Sequence, residues 1–191
     1  DEFFMVRVAS LKDMVHANYK KKDIAGMTAS EQLEKINERT RELVTLQYNT
    51  YNRSLVPLMH QHGIVVMDAF EDLSEAQAAF VDRYFEDNVY PVLTPMAVDA
   101  SRPFPLIRNK TLNIAALLSK KKGKAEKEEI EFATVQVPSV LPRLVHIPSE
   151  DGNEKTFILL EQVIERNIDK LFLNYDVLCA YPYRVMRNAD L

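Results

Sequence analysis

The sequence predicts an α+β fold, an N-terminal helical pair followed by an α/β domain with a mainly antiparallel sheet. Three observations carry that expectation. Apolar residues recur at helical spacing through residues 1–61. From Gly63 onward, short β-branched runs bounded by glycine, proline and aspartate take over. Most of these runs are separated by turns and prolines rather than by the helical crossovers that a parallel sheet requires. The chain therefore divides at 1–61 and 62–191.

In chain order, Phe3, Phe4, Val6, Val8, Leu11 and Val15 predict a helix over residues 2–20, and Lys20, Lys21 and Lys22 suit its negative C-terminal end. After a turn at Gly26, Thr28 and Glu31 form a capping-box pattern, in which each side chain accepts from the other residue's free backbone N–H. The helix that starts there can run to about residue 61, with Leu33, Ile36, Leu43, Tyr48, Tyr51, Leu55 and Leu58 on its inner face. Pro57 should kink or end it, because proline lacks a backbone donor and clashes with the preceding turn. Two helices bury little alone, so this pair needs further chain to pack against.

Ile64–Met67 reads as a strand. Ser74 and Gln77 repeat the capping box ahead of a helix through Ala78, Val81, Tyr84 and Phe85. Pro91, Pro95, Pro103 and Pro105 predict extended or turning backbone. Residues 112–118 and 130–137 flank a lysine–glutamate segment and predict a hairpin with a charged tip. Residues 144–147 and 156–159 predict a further strand pair, 160–172 a helix, and 177–186 a closing strand.

Composition narrows the function classes. With 47% hydrophobic and 27% charged residues in 191, the chain can build a core, which excludes disorder as its main state. The single cysteine, Cys179, excludes an internal disulfide framework and a four-cysteine zinc site, and its apolar neighbours predict a packing role. No apolar run approaches the roughly 20 residues of a membrane span, so no transmembrane segment is expected. The location expected is cytoplasmic, with peripheral membrane association left open. A net charge of −4, from 24 basic and 28 acidic residues, argues against a dedicated nucleic-acid binder.

No catalytic set emerges. His16, His60, His62 and His146 have no fuller ligand set around them, so no metal site is predicted. Four glycines cannot build a glycine-rich phosphate cradle, and any phosphate must be met by side chains or helix ends. The candidates for phosphate contact are Arg7, Arg102, Arg108 and Arg187, with Lys110, Arg184 and the lysines of 120–124 beside them, since a guanidinium presents a planar fork to phosphate oxygens. Residue patterns alone leave open a free-standing interaction module that binds acidic or phosphorylated partners.

Asp1-Glu2-Phe3-Phe4-Met5-Val6-Arg7-Val8, the Gly63-Ile64-Val65 turn into a strand, Pro91-Val92-Leu93-Thr94-Pro95, Phe157-Ile158-Leu159-Leu160-Glu161 and Arg187-Asn188-Ala189-Asp190-Leu191 together resemble bacterial polyphosphate kinase. The resemblance runs through the whole chain. It implies a fragment of a longer enzyme: the end of a helical N domain at 1–61, and at 62–191 a head domain through which the protein forms a homodimer or tetramer. That family reversibly transfers the terminal phosphate of ATP to polyphosphate through a phosphohistidine, with ATP and Mg²⁺ as its cofactors. The histidines concerned lie in C-terminal domains outside this chain, and the family's adenine-contacting asparagine lies just before Asp1. No catalytic residue is therefore carried over, and the chain by itself is expected to bind no cofactor and to be inactive.

Overall fold

In the computed structural model, which describes residues 1–98, 104–120, 130–149 and 152–188, both capping boxes close. The Thr28 N–H donates to Glu31 Oε2 at 2.7 Å and the Glu31 N–H returns to Thr28 Oγ1 at 3.3 Å. Ser74 and Gln77 repeat the exchange at 3.1 and 3.4 Å, and Gln77 Nε2 also donates to the Pro148 carbonyl at 2.9 Å. Each box satisfies backbone donors that a helix start otherwise leaves open. Two compact units result, residues 1–61 with the segment beginning at Met186, and residues 62–185.

The first unit is helical. A π-helical turn at Phe4–Val8 leads into α1 (Ala9–His16), and α2 (Ala29–Thr50) follows the turn at Gly26. Helical backbone continues past α2 through a π-helical stretch, Tyr51–Leu55, into α3 (Val56–Gln61). The ring of Pro57 would collide with the carbonyl of Arg53 in a regular helix, and the wider turn sits there. So Pro57 distorts the helix without ending it. The expected inner face is only partly covered: Leu33 and Ile36 are half-buried, whereas Leu43, Tyr48, Tyr51, Leu55 and Leu58 are exposed, Tyr48 by 62%. Helical spacing marks an apolar stripe, and that stripe extends beyond what α1 reaches.

The second unit holds two sheets. β2 (Pro95–Val98), β3 (Leu112–Lys120), β4 (Ile130–Gln136) and β7 (Tyr175–Arg184) form an antiparallel sheet in the order β2-β4-β3-β7. The other sheet has the order β1-β6-β5, from β1 (Ile64–Val66), β5 (Leu144–Ile147) and β6 (Lys155–Leu159). β5 and β6 are antiparallel, but β1 lies parallel to β6, with Ile64 opposite Lys155 and Val66 opposite Phe157. That pair departs from the antiparallel expectation: β1 joins an edge through a long connection rather than a turn. Gly63 makes the entry, at φ +68°, with its carbonyl accepting from the Lys155 N–H at 2.7 Å. The hairpin tip at 121–129 lies outside the described residues.

The core of this unit draws on every layer. Ile114, Ala116 and Leu118 alternate inward along β3 and meet Val135 of β4, Ile147 of β5 and Ile158 of β6. They pack with Val81 of α4 (Glu75–Tyr84), Phe85 and Val89 of the π-helical turn after it, and Leu160, Val163 and Ile164 of α5 (Leu160–Arg166). Burying each large side chain stabilises by about 1.5–3 kcal/mol. β7 carries a bulge: Leu117 faces Cys179 and Leu118 faces Val177, which leaves Leu178 between them, 53% exposed. Cys179 itself is half-buried rather than enclosed.

Candidate functional site

The arginines singled out by sequence have separate fates. Arg7 is exposed on the first π-helical turn, and its Nη2 donates to Gln32 Oε1 on α2 at 3.1 Å, so it braces two helices. Arg108 is exposed in a tight turn whose geometry its backbone sets, its carbonyl accepting from the Thr111 N–H at 3.3 Å and from Thr111 Oγ1 at 2.9 Å. Arg102 lies outside the described residues, as do Lys121, Lys122 and Lys124. Arg187 lines a cavity.

That cavity, about 340 Å³, belongs to the helical unit. Lys12, Asp13 and His16 of α1 line it opposite Arg187 and Asn188, with Phe4 and Val8 as its apolar side. Val8, Lys12 and His16 share one helix face because they are four apart. Leu11, 1% exposed, anchors α1 and so holds that face in place. Lys12, His16 and Arg187 against the one carboxylate of Asp13 make a cleft suited to an anion. No nucleophile and base are paired there. The i, i+4 spacing of Lys12 and His16 was visible in the sequence, but not that Arg187, remote in the chain, would face them.

The second unit contains a different charged constellation. Glu161, 4% exposed, accepts from Arg143 Nε at 3.1 and 3.2 Å and from Arg143 Nη2. The Glu161 carboxylate keeps the Arg143 guanidinium protonated even above its ordinary range, against the opposing effect of burial. One turn on, Glu165 has its pKa pushed up to about 7, first by burial and then by the negative charges of Glu161 and Glu71. Asp82 goes the other way, held below its ordinary value chiefly by hydrogen bonds from Arg166 at 2.8 and 3.0 Å. Among the described residues, no three His, Cys, Asp or Glu side chains cluster closely enough to hold a metal ion. Nor is any helix among them long and apolar enough to cross a membrane.

Comparison with known proteins places these features in a family. Residues 1–67 match the model of the polyphosphate kinase N-terminal domain and residues 76–191 that of the polyphosphate kinase middle domain. Over its full length the chain is 51% identical to a polyphosphate kinase of Lactiplantibacillus plantarum and 48% identical to one of Halalkalibacterium halodurans, covering 26% of each. The crystal structure of polyphosphate kinase from Porphyromonas gingivalis superposes on the whole chain with a TM-score of 0.82 at 26% identity, the chain covering 27% of that protein. The chain thus spans about a quarter of the length of the relatives it matches.

Proposed function

The chain belongs to the polyphosphate kinase family, and from that premise we propose that the protein it represents moves the terminal phosphate of ATP reversibly onto polyphosphate through a phosphohistidine. The observation that carries this reading is the match of two consecutive domains of one enzyme family, in their order, with every residue of the chain aligned to its relatives. Within that reaction these residues serve as scaffold. Phosphoryl transfer is governed by positioning and by cations that offset developing charge, and the cleft of Lys12, His16 and Arg187 is one part of this chain suited to face an anion.

Mg²⁺ would neutralise the phosphates of ATP in such a reaction. The described residues show no cluster fit to hold it, so in this reading the metal site lies in the remainder of the protein. The second role we assign to residues 62–191 is self-association into a dimer or tetramer. Leu117, Leu178 and Tyr181, exposed by 38%, 53% and 68% on β3 and β7, support it.

Turnover of ATP with polyphosphate and Mg²⁺, followed by phosphorus NMR, tests the catalytic half of the proposal. The full-length protein should lengthen polyphosphate and the 191-residue chain should not. A full-length protein without chain elongation would overturn it. Sedimentation equilibrium over a concentration series tests the assembly, and a strict monomer at every concentration removes that role.

A further inference from the structure

We propose that the cleft at one end of the four-stranded sheet, where β3 begins and β4 and β7 end, binds a condensed phosphate chain. Lys110, Arg143 and Arg184 converge on a cavity of about 480 Å³, and Gln136 and Ser139 add an amide and a hydroxyl to its wall. Among the described residues that line it, none is Asp or Glu, in a chain whose net charge is −4. Arg143, already balanced by Glu161, stands beside Lys110 and Arg184 in that wall, and a polyanion can meet all three.

Each cation stands on backbone that is already fixed. Lys110 is held at φ +64°, a left-handed conformation that a lysine adopts only at a cost, and its N–H donates to the Val185 carbonyl at 2.9 Å. Arg184 ends β7, opposite Leu112 in the sheet. Arg143 is gripped by Glu161 from behind, and its carbonyl accepts from the Leu160 N–H at 2.8 Å. The Arg143 guanidinium, held in place before binding, loses little freedom on binding, and the backbone beneath Lys110 and Arg184 is fixed.

Successive phosphoryl groups of one chain can meet the three side chains in turn. The charge and shape of the cleft select a polyvalent oxyanion. The choice of condensed phosphate among such anions rests on the proposed function.

The test is titration of the full 191-residue chain with inorganic tripolyphosphate at constant ionic strength, read by amide NMR and calorimetry. Binding should move the amides of Lys110, Ser139 and Arg184. Arg184→Ala and Lys110→Gly should each weaken it about tenfold, the effect of one charge-assisted contact. Glycine also relieves the left-handed strain at position 110, so Lys110→Gly should hold or raise Tm while affinity falls. A merely structural lysine would change Tm and leave affinity alone. Arg83→Ala, an exposed charge on α4, serves as the control and should bind as the unaltered chain does.

No binding, undiminished affinity in both variants, or shifts confined to other amides would overturn the site. Citrate binding as tightly as tripolyphosphate would overturn the assignment to condensed phosphate. Turnover by the full-length protein is a separate readout: its absence sinks the kinase reading and leaves a tripolyphosphate site standing, and the converse also holds.

Discussion

The two units solve the problem of burial differently. In residues 62–185, strands and helices from all parts of the sequence enclose one another, and Phe85, Ile114, Leu118, Ile147, Ile158 and Ile164 are essentially inaccessible. Among the described residues of the helical unit, Val8, Leu11 and Ala29 are the only buried apolar side chains, and Leu43, Val44, Leu46 and Tyr48 of α2 stay exposed. Stability in the first case comes from packing and in the second from local helix signals: a capping box, good helix formers and a few contacts between α1 and α2. A helix stripe that is apolar beyond its neighbour's reach is a surface awaiting other chain.

The sharpest way to break that contrast is through the core of the second unit. Phe85→Ala should cost about 3–5 kcal/mol, read as a fall in the denaturant midpoint, because it leaves a cavity in a fully buried, packed core. A loss below 1 kcal/mol would show that the layers are not rigidly packed. Next comes Arg143→Ala, at about 2 kcal/mol, since it strands the buried Glu161 carboxylate without its partner. Removing both charges with Arg143→Ala and Glu161→Leu together should recover part of the loss. In the helical unit, Thr28→Ala should cost about 1 kcal/mol and lower the helical circular dichroism of α2.

Two smaller effects sharpen the comparison further. Glu165 keeps its proton up to about pH 7 in the folded state, whereas its ordinary value is 4.5. Between those values the folded chain binds a proton that the unfolded chain has released, so this group's contribution makes stability fall as pH rises through the window, and level off above it. Glu165→Gln should therefore raise Tm at pH 8 and change it little at pH 4. Asp82 works in the opposite sense: its stabilising contribution is present above its ordinary 3.8 and is lost as pH falls through its lower folded value. Arg166→Ala should flatten that acid limb. Smallest of all, Leu46→Ser on the exposed face of α2 should change the stability of this chain by less than about 0.5 kcal/mol. A large loss there would mean that α2 is already covered.

Local signals account for what was legible beforehand. The Thr28–Glu31 and Ser74–Gln77 boxes, the β3–β4 hairpin and the β5–β6 pair all join residues close in sequence, and their patterns announced them. What stayed hidden depends on distance along the chain. Nothing around Ile64 indicates a parallel partner at Lys155, nothing around Arg187 indicates Lys12 and His16, and the pairing of Asp82 with Arg166 has no periodicity to reveal it. Among the candidate phosphate contacts, Arg7 also reaches Gln32, and the Arg108 carbonyl lies in a turn closed by Thr111, neither of which its own sequence neighbourhood announces. Lys110 and Arg184 became a pair only once β3 and β7 lay side by side.

The parallel alignment of β1 with β6 also sets a timetable for synthesis. About 90 residues separate the partners, so at roughly 5–20 residues per second the ribosome releases Ile64-Val65-Val66 some 5–20 s before the strand that completes it. During that interval an apolar edge with open backbone groups is exposed to the cell, a natural substrate for a nascent-chain chaperone. The sheet of β1, β6 and β5 thus waits on β6 before β1 is covered, and slow translation through residues 64–157 would lengthen the exposure of that strand.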